Sequence, residues 1–279
     1  MGRSAQLVGP KGPYPGSAVA AFLLVNPRSG DGGPSGEELA EAARSRGIRT
    51  KVLHEGEDAA ATLRSVDADT LGVAGGDGSL AQVAAVAIER DLPFVCVPFG
   101  TRNHFARDVG LDRDDPLAAL DAFGGDERRV DVGYVGDRLF LNNVSLGLYA
   151  RLVHRRERHR RRREALARIR AWLIVLTHRE PLGLTIDGAL EASRLVLVAN
   201  NAYVLEPPSL GSRHALDEGL LHLYIVRGSV EDRTGTRFVV DAQAGRIDAA
   251  VDGEPDVLDT PLEFRIAPRT LRVLLPPGR

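Results

Sequence analysis

Residues 70–90 read Thr-Leu-Gly-Val-Ala-Gly-Gly-Asp-Gly-Ser-Leu-Ala-Gln-Val-Ala-Ala-Val-Ala-Ile-Glu-Arg, and their order decides the fold. Thr70 to Ala74 is a short apolar run, too brief for a helix and suited to a buried strand. Leu80 to Arg90 is rich in Ala and long enough for a helix. Between them stands Gly75-Gly76-Asp77-Gly78-Ser79. A strand, a glycine loop and a helix in succession form part of a βαβ crossover, and so of a parallel sheet. Taken alone, the pentapeptide supports two readings equally. Bare backbone N–H groups at a helix N-terminus cradle phosphate, with Asp77 orienting Mg²⁺ or a water. Alternatively, the loop is a tight turn that needs glycine dihedrals and an Asx-type cap at Asp77 or Ser79. It is neither a GxxxxGK[ST] loop nor a GxGxxG fingerprint.

The same alternation extends on both sides. Ala18 to Val25 reads as a strand ending at Asn26-Pro27, and Ser35-Gly-Glu-Glu38 is a capping box opening a helix over Glu37 to Arg46, with Gly47 placed to stop it. Ile48 to Leu53 reads as strand, Glu57 to Val66 as helix, Phe94 to Val97 as strand and Asp115 to Phe123 as helix. Past Gly124-Gly125 the rhythm changes. Arg128 to Val135 and Arg138 to Val144 pair as a hairpin across Gly136-Asp137. Further strands are expected over Gly183–Ile186, Leu190–Ala199, Leu220–Val226, Arg237–Val240, Ile247–Val251, Leu262–Ile266 and Leu271–Leu275, with one long helical stretch over Leu148–His178.

The fold expected is therefore α/β plus mostly β: a Rossmann-like parallel-sheet nucleotide domain followed by an antiparallel β-sandwich-like domain. Residues 1–17 read as a flexible leader rich in Gly and Pro, 18–125 as the α/β domain and 126–265 as the mostly β domain. Residues 266–279 are expected to return as a strand to the first domain.

Composition narrows the function classes. The chain has 279 residues, 43% hydrophobic and 27% charged, in the globular range. With 8 Phe, 5 Tyr and 1 Trp, aromatic platforms for single-stranded nucleic acid are hard to build. The single cysteine, Cys96, excludes an internal disulfide framework and a multi-cysteine zinc site, and its apolar neighbours make it a buried thiol. No apolar run reaches the roughly 18–20 residues of a membrane span. No secretory signal opens the chain, so a cytoplasmic location is expected.

Charge is uneven: residues 151–170 hold ten arginines against Glu157 and Glu164, although the whole chain nets -2. Arg151, Arg155, Arg158 and Arg162 recur at helical spacing, and Leu166, Ile169, Trp172, Leu173 and Leu176 continue with an apolar side. That pairing suits an anionic bilayer surface better than nucleic acid, the rest of the chain being acidic. Peripheral association with the inner face of the membrane is the expectation, a solvated helix the plain alternative.

Two more strand ends carry polar, glycine-bearing loops, Asn26-Pro27-Arg28-Ser29-Gly30 and Pro98-Phe99-Gly100-Thr101-Arg102-Asn103. Either one alone is ordinary turn chemistry. Three at the carboxyl edge of one parallel sheet mark the place where open α/β sheets bind ligands.

In order and spacing, Asn26 to Gly30, Gly75 to Ser79 and Pro98 to Leu111 (PFGTRNHFARDVGL) resemble the diacylglycerol kinase catalytic-domain family of lipid kinases, which includes bacterial lipid kinases and sphingosine kinases. Phe140-Leu-Asn-Asn-Val-Ser-Leu-Gly147, Ala215-Leu-Asp-Glu-Gly-Leu-Leu221 and Val251-Asp-Gly-Glu254 extend the likeness to most of the chain. The resemblance implies ATP-dependent phosphoryl transfer to a lipid hydroxyl, with ATP and Mg²⁺ as cofactors and a lipid as partner. It implies nucleotide contacts from Asn26, Pro27, Ser29, Gly30, Gly75, Gly76, Asp77, Gly78, Ser79, Thr101 and Asn103. It also implies catalytic roles for Glu254, as general base, and Asp77. A structural magnesium site would take backbone oxygens of Ala215 and Leu220 and the side chain of Glu218.

Positioning, charge neutralisation and a base are what phosphoryl transfer asks of a protein. This chain departs from the family pattern at Ser79 (usually Thr), His104 (commonly Asp) and Glu218 (Asp), and its Gly228–Thr236 stretch is short where relatives often carry a helix. Two other readings remain open. An NAD kinase-like phosphotransferase also carries a GGDG loop, with Asn142-Asn143 as the nearest match to its Asn-Glu pair. A non-catalytic lipid-binding regulatory protein would retain the same fold.

Overall fold

The computed structural model describes residues 20–27, 29, 33–147, 182–193, 195–206, 211–227 and 229–278. The leader, Gly30 and the whole 148–178 stretch with its arginines lie outside these residues.

Four parallel strands form the first layer: β1 (Ala21–Val25), β2 (Arg49–Val52), β3 (Thr70–Gly75) and β4 (Phe94–Pro98), in the order β2-β1-β3-β4. All five residues of β4 and all six of β3 are buried, as expected for parallel strands covered on both faces. Helices α1 (Gly36–Arg44), α2 (Ala59–Ser65) and α3 (Asp77–Glu89) make the crossovers. The predicted capping box exists: Glu38 N–H donates to Ser35 Oγ, and Ser35 N–H donates to Glu38 Oε2. Gly47 ends that segment at φ +80°, a conformation glycine adopts at no steric cost. Cys96 is buried in β4, and burial pushes its thiol well above the ordinary value.

The remaining strands build a sandwich. β5 (Asp126–Val135) and β6 (Arg138–Phe140) form the expected hairpin, with Val135 opposite Arg138. β8 (Leu182–Ile186), β9 (Ala189–Ser193), β13 (Arg237–Ala242) and β16 (Leu262–Leu275) complete a ten-stranded sheet with β1–β6. The second sheet is antiparallel, ordered β12-β11-β10-β7-β14-β15: β12 (Val230–Gly235), β11 (Leu221–Val226), β10 (Leu195–Asn200), β7 (Asn143–Leu146), β14 (Arg246–Val251) and β15 (Glu254–Asp259). Phe140, Phe238 and Phe264 of one sheet pack with Leu146, Val198 and Leu223 of the other in a single core. β16 joins the layers: it runs antiparallel to β5 and β13 and, at Val273 and Leu274, parallel to β4.

Several expected boundaries are corrected. Asp115–Phe123 is not an α-helix but a 3-10 turn over Ala118–Gly124. Arg138–Val144 divides after Phe140, because β7 leaves for the other sheet. Leu190–Ala199 likewise divides into β9 and β10, which sit in different sheets. Leu262–Ile266 and Leu271–Leu275 are one strand with an irregularity between Ala267 and Leu271. A short helix, α4 (His104–Asp108), and strands β12 and β15 were not anticipated.

Candidate active site

The order β2-β1-β3-β4 places β1 between the strand it leads to and β3, so the carboxyl ends of β1 and β3 flank the switch point where such sheets open a crevice. The three glycine-bearing loops meet there. The Asn26 N–H donates to the Ala74 carbonyl (2.9 Å), and Asn26 Nδ2 donates to Ser79 Oγ (2.9 Å), fastening the first loop to the second. A Cβ on Gly75 would stand 2.7 Å from that of Ser79, and one on Gly100 would run into the Cα of Gly76. The close approach of Ser79 Cβ to Gly75 and of the Gly76 backbone to Gly100 therefore requires glycine at both positions. Helix α3 starts at Gly76 without a capping side chain. The first N–H groups of the helix thus lack an intrahelical or side-chain partner and favour an anion.

Asp77 is buried and turned inward. Its Oδ2 accepts the His104 N–H (3.2 Å) and its Oδ1 accepts the Phe105 N–H (3.0 Å) and Asn142 Nδ2 (3.2 Å). Asp77 thereby caps α4 from another loop, because the adjacent Asn103, at φ +48°, folds its side chain onto both the N–H and the carbonyl of Gly100 (2.8 Å each). At the end of α4, Asp108 accepts from Arg213 Nε (2.8 Å), and Arg213 Nη2 donates to Asn142 Oδ1 (2.7 Å). Asp77, α4, Asp108, Arg213 and Asn142 close a ring. Arg213 adds bonds to the carbonyls of Leu141 (2.7 Å) and Asn200 (3.0 Å), so one buried guanidinium ties the first layer to the second sheet. Burial lowers the pKa of the nearby His104 imidazole; Asp77 opposes the shift, and Arg107 and Arg102 add to it.

Glu254 opens β15 directly across from these glycines. A Cβ on Gly78 would lie 2.8 Å from Glu254 Cγ and 3.0 Å from Oε1. The carboxylate is exposed and forms no hydrogen bond or ion pair with a described residue. Its turn is held from behind. Asp252, at φ +49°, accepts the N–H groups of Leu141 (2.8 Å), Asn142 (2.7 Å) and Asn143 (3.1 Å). Burial raises the Asp252 carboxyl to about 7, against the pull of those three N–H groups.

Glu218 and Leu220, in the segment that begins at Ala215, are bonded to other partners. Glu218 Oε2 accepts the Ala202 N–H (3.1 Å) and stands 3.4 Å from His222 Nε2, while the Leu220 carbonyl accepts the Asn201 N–H (3.1 Å). Asp232 faces the other ring nitrogen of His222 at 3.0 Å. Among the described residues no cluster of three or more His, Cys, Asp or Glu side chains is shaped to hold a metal ion. Glu218 Oε2 is engaged by Ala202 and His222, and no step below is routed through a metal ion at this segment.

The structure thus gathers Asn26, Gly75–Ser79, Asn103 and Glu254, with Pro27 and Thr101 exposed at the same edge and Ser29 donating its N–H to the Asn26 carbonyl (3.2 Å). Arg213 and Asp108 are the residues that sequence reading missed. Asp108 lies inside the quoted Pro98–Leu111 segment, but Arg213 sits in a stretch without periodicity, where no signal marked it.

Residues 20–135 match the family model described as the diacylglycerol kinase catalytic domain. A "Probable lipid kinase YegS-like" protein of Pseudomonas fluorescens is 41% identical over 75 residues, 26% of this chain and 25% of that protein. A diacylglycerol kinase of Mycobacterium tuberculosis is 28% identical over 194 residues, 60% of this chain and 59% of that one. The chain therefore spans between a quarter and three-fifths of the length of these two relatives. In fold it is similar to the crystal structure of a diacylglycerol kinase from Bacillus anthracis, with a TM-score of 0.68 at 18% identity, covering 93% of this chain and 98% of the other. Across residues 20–135 the chain is therefore similar in sequence to the diacylglycerol kinase catalytic domain, and over most of its length it shares the fold of such kinases.

Proposed function

We propose that the protein is a lipid kinase that transfers the γ-phosphoryl group of ATP to the hydroxyl of a diacylglycerol-like lipid alcohol. The observation that carries this reading is the contact of the unpartnered Glu254 carboxylate with Gly78, at the uncapped start of α3. The N–H groups of that helix start and the side chains of Asn26, Ser79 and Thr101 would bind the polyphosphate, with Pro27, Ser29 and Gly30 shaping the loop beside them. Asp77 and Asn103 act as positioning residues, since their polar atoms hold α4 and its loop in place. In the reaction the acceptor oxygen bonds to the γ-phosphorus while Glu254 takes the hydroxyl proton. The bond from that phosphorus to the bridging oxygen breaks, and ADP departs with the electron pair. Magnesium would enter bound to the nucleotide, where it neutralises phosphate charge.

The acceptor resides in a bilayer. No described helix is long and apolar enough to cross one. The arginines of 151–170 are our candidate for surface attachment from the cytoplasmic side. Asn142 and Asn143 spend their side chains on Asp77, Arg213 and Tyr203, which leaves neither poised for a dinucleotide.

The test offers purified protein, Mg²⁺ and labelled ATP a mixture of lipid alcohols in one tube and NAD in another. Label in lipid is expected, with Glu254→Gln lowering transfer at least about 100-fold, the scale of a lost general base. Label in NADP, or transfer untouched by Glu254→Gln, would contradict the proposal.

A further inference from the structure

The turn that carries Glu254 also faces a charge with nothing to do. Arg102, in the loop after β4, is exposed, and its Nη1 lies 3.2 Å from where a Cβ on Gly253 would stand. Gly253 has φ +84°. That left-handed conformation favours a glycine there. Neighbouring arginines are committed: Arg107 to Asp108 and the Gly211 carbonyl, Arg113 to the Thr101 carbonyl, Arg213 to Asp108 and Asn142. Arg102 makes no hydrogen bond or ion pair with a described residue, and Glu254, one residue beyond Gly253, turns to Gly78 instead of pairing with it.

An arginine and a glutamate that flank one turn and leave each other alone are free for third parties of opposite charge. A fixed guanidinium fork matches the paired oxygens of a phosphate. If Glu254 receives the acceptor's proton, the phosphate beside this turn is the one being transferred. Resting on the kinase reading, we propose that Arg102 binds the terminal phosphate of the nucleotide. It would then gather the negative charge of the γ-oxygens as the acceptor oxygen bonds to phosphorus, the bridging P–O bond breaks and the hydroxyl proton passes to Glu254. A contact confined to the γ-phosphate would distinguish ATP from ADP.

The experiment measures Mg·ATP and Mg·ADP affinities by calorimetry for wild type, Arg102→Gln and Arg102→Lys, alongside lipid phosphorylation. Arg102→Gln should weaken ATP binding about 10- to 100-fold, the scale of one charge-assisted contact, while ADP affinity stays as in wild type. Arg102→Lys should recover part of the loss through charge without the fork. Equal losses for both nucleotides, or none for either, would overturn the proposal. Should wild type bind ATP yet phosphorylate no lipid, the kinase reading falls while the ATP-to-ADP ratio still decides Arg102. If wild type binds neither nucleotide, both fall.

Discussion

The Gly75–Ser79 loop and the Val251–Glu254 turn face each other but are built on opposite plans. The loop is a strand end running into a helix, and what it offers is backbone: adjacent glycines packed against Gly100 and a helix start without a cap. The turn offers a side chain and is held by a carboxylate, with Asp252 gripping three successive N–H groups more than a hundred residues upstream in sequence. A backbone site is written locally, in the residues that form it. A side-chain site depends on distant groups that fix where the side chain can reach.

Breaking the distant support should therefore do more harm than altering the loop. Arg213→Met removes the buried guanidinium from Asp108, which keeps only Arg107, and leaves the Leu141 carbonyl and Asn142 Oδ1 without that donor; breaking such a buried network costs about 3–5 kcal/mol. Denaturant titration should show that loss, with partial recovery in the Arg213→Met, Asp108→Asn double variant. Asn142→Ala removes one tie to Asp77 and one to Arg213 and should cost about 1–3 kcal/mol, the penalty for leaving buried partners unsatisfied.

The smallest effect is a pH dependence. A carboxyl raised to about 7 on folding takes up a proton between its ordinary value of 3.8 and that point. Acidification across this window favours the folded state, and the contribution disappears as pH rises through about 7. Between about pH 8 and pH 5, the wild-type melting temperature should rise relative to that of Asp252→Asn, which cannot ionise. Parallel melting curves would mean that the grip of three N–H groups keeps Asp252 ionised throughout.

The same contrast explains what the sequence disclosed. Alternating strands and helices, the Ser35–Glu38 capping box and the stop at Gly47 are short-range signals, and the parallel sheet followed from them. Helix α4 left no such signal, because its cap is Asp77, 27 residues upstream of His104. Leu190–Ala199 read as one strand because an apolar run says nothing of the point where the chain changes sheets. The glycines of the crevice were visible, as was Glu254 through family likeness. That Glu254 leans on Gly78, and that Arg213 closes the ring behind both, are properties of the packed molecule.

The contact between Gly78 and Glu254 is open to a direct measurement. Gly78→Ala adds a methyl group where only the flexible end of an exposed glutamate stands, so the fold should persist while the carboxylate is pushed aside. Phosphoryl transfer by Gly78→Ala, Glu254→Gln and the double variant forms a cycle that isolates their coupling. The expected result is a loss of about tenfold for Gly78→Ala in wild type and none in the Glu254→Gln background, because the displaced base is already gone. Losses that multiply in the double variant would show that Gly78 and Glu254 act independently, and the account of this site would be wrong.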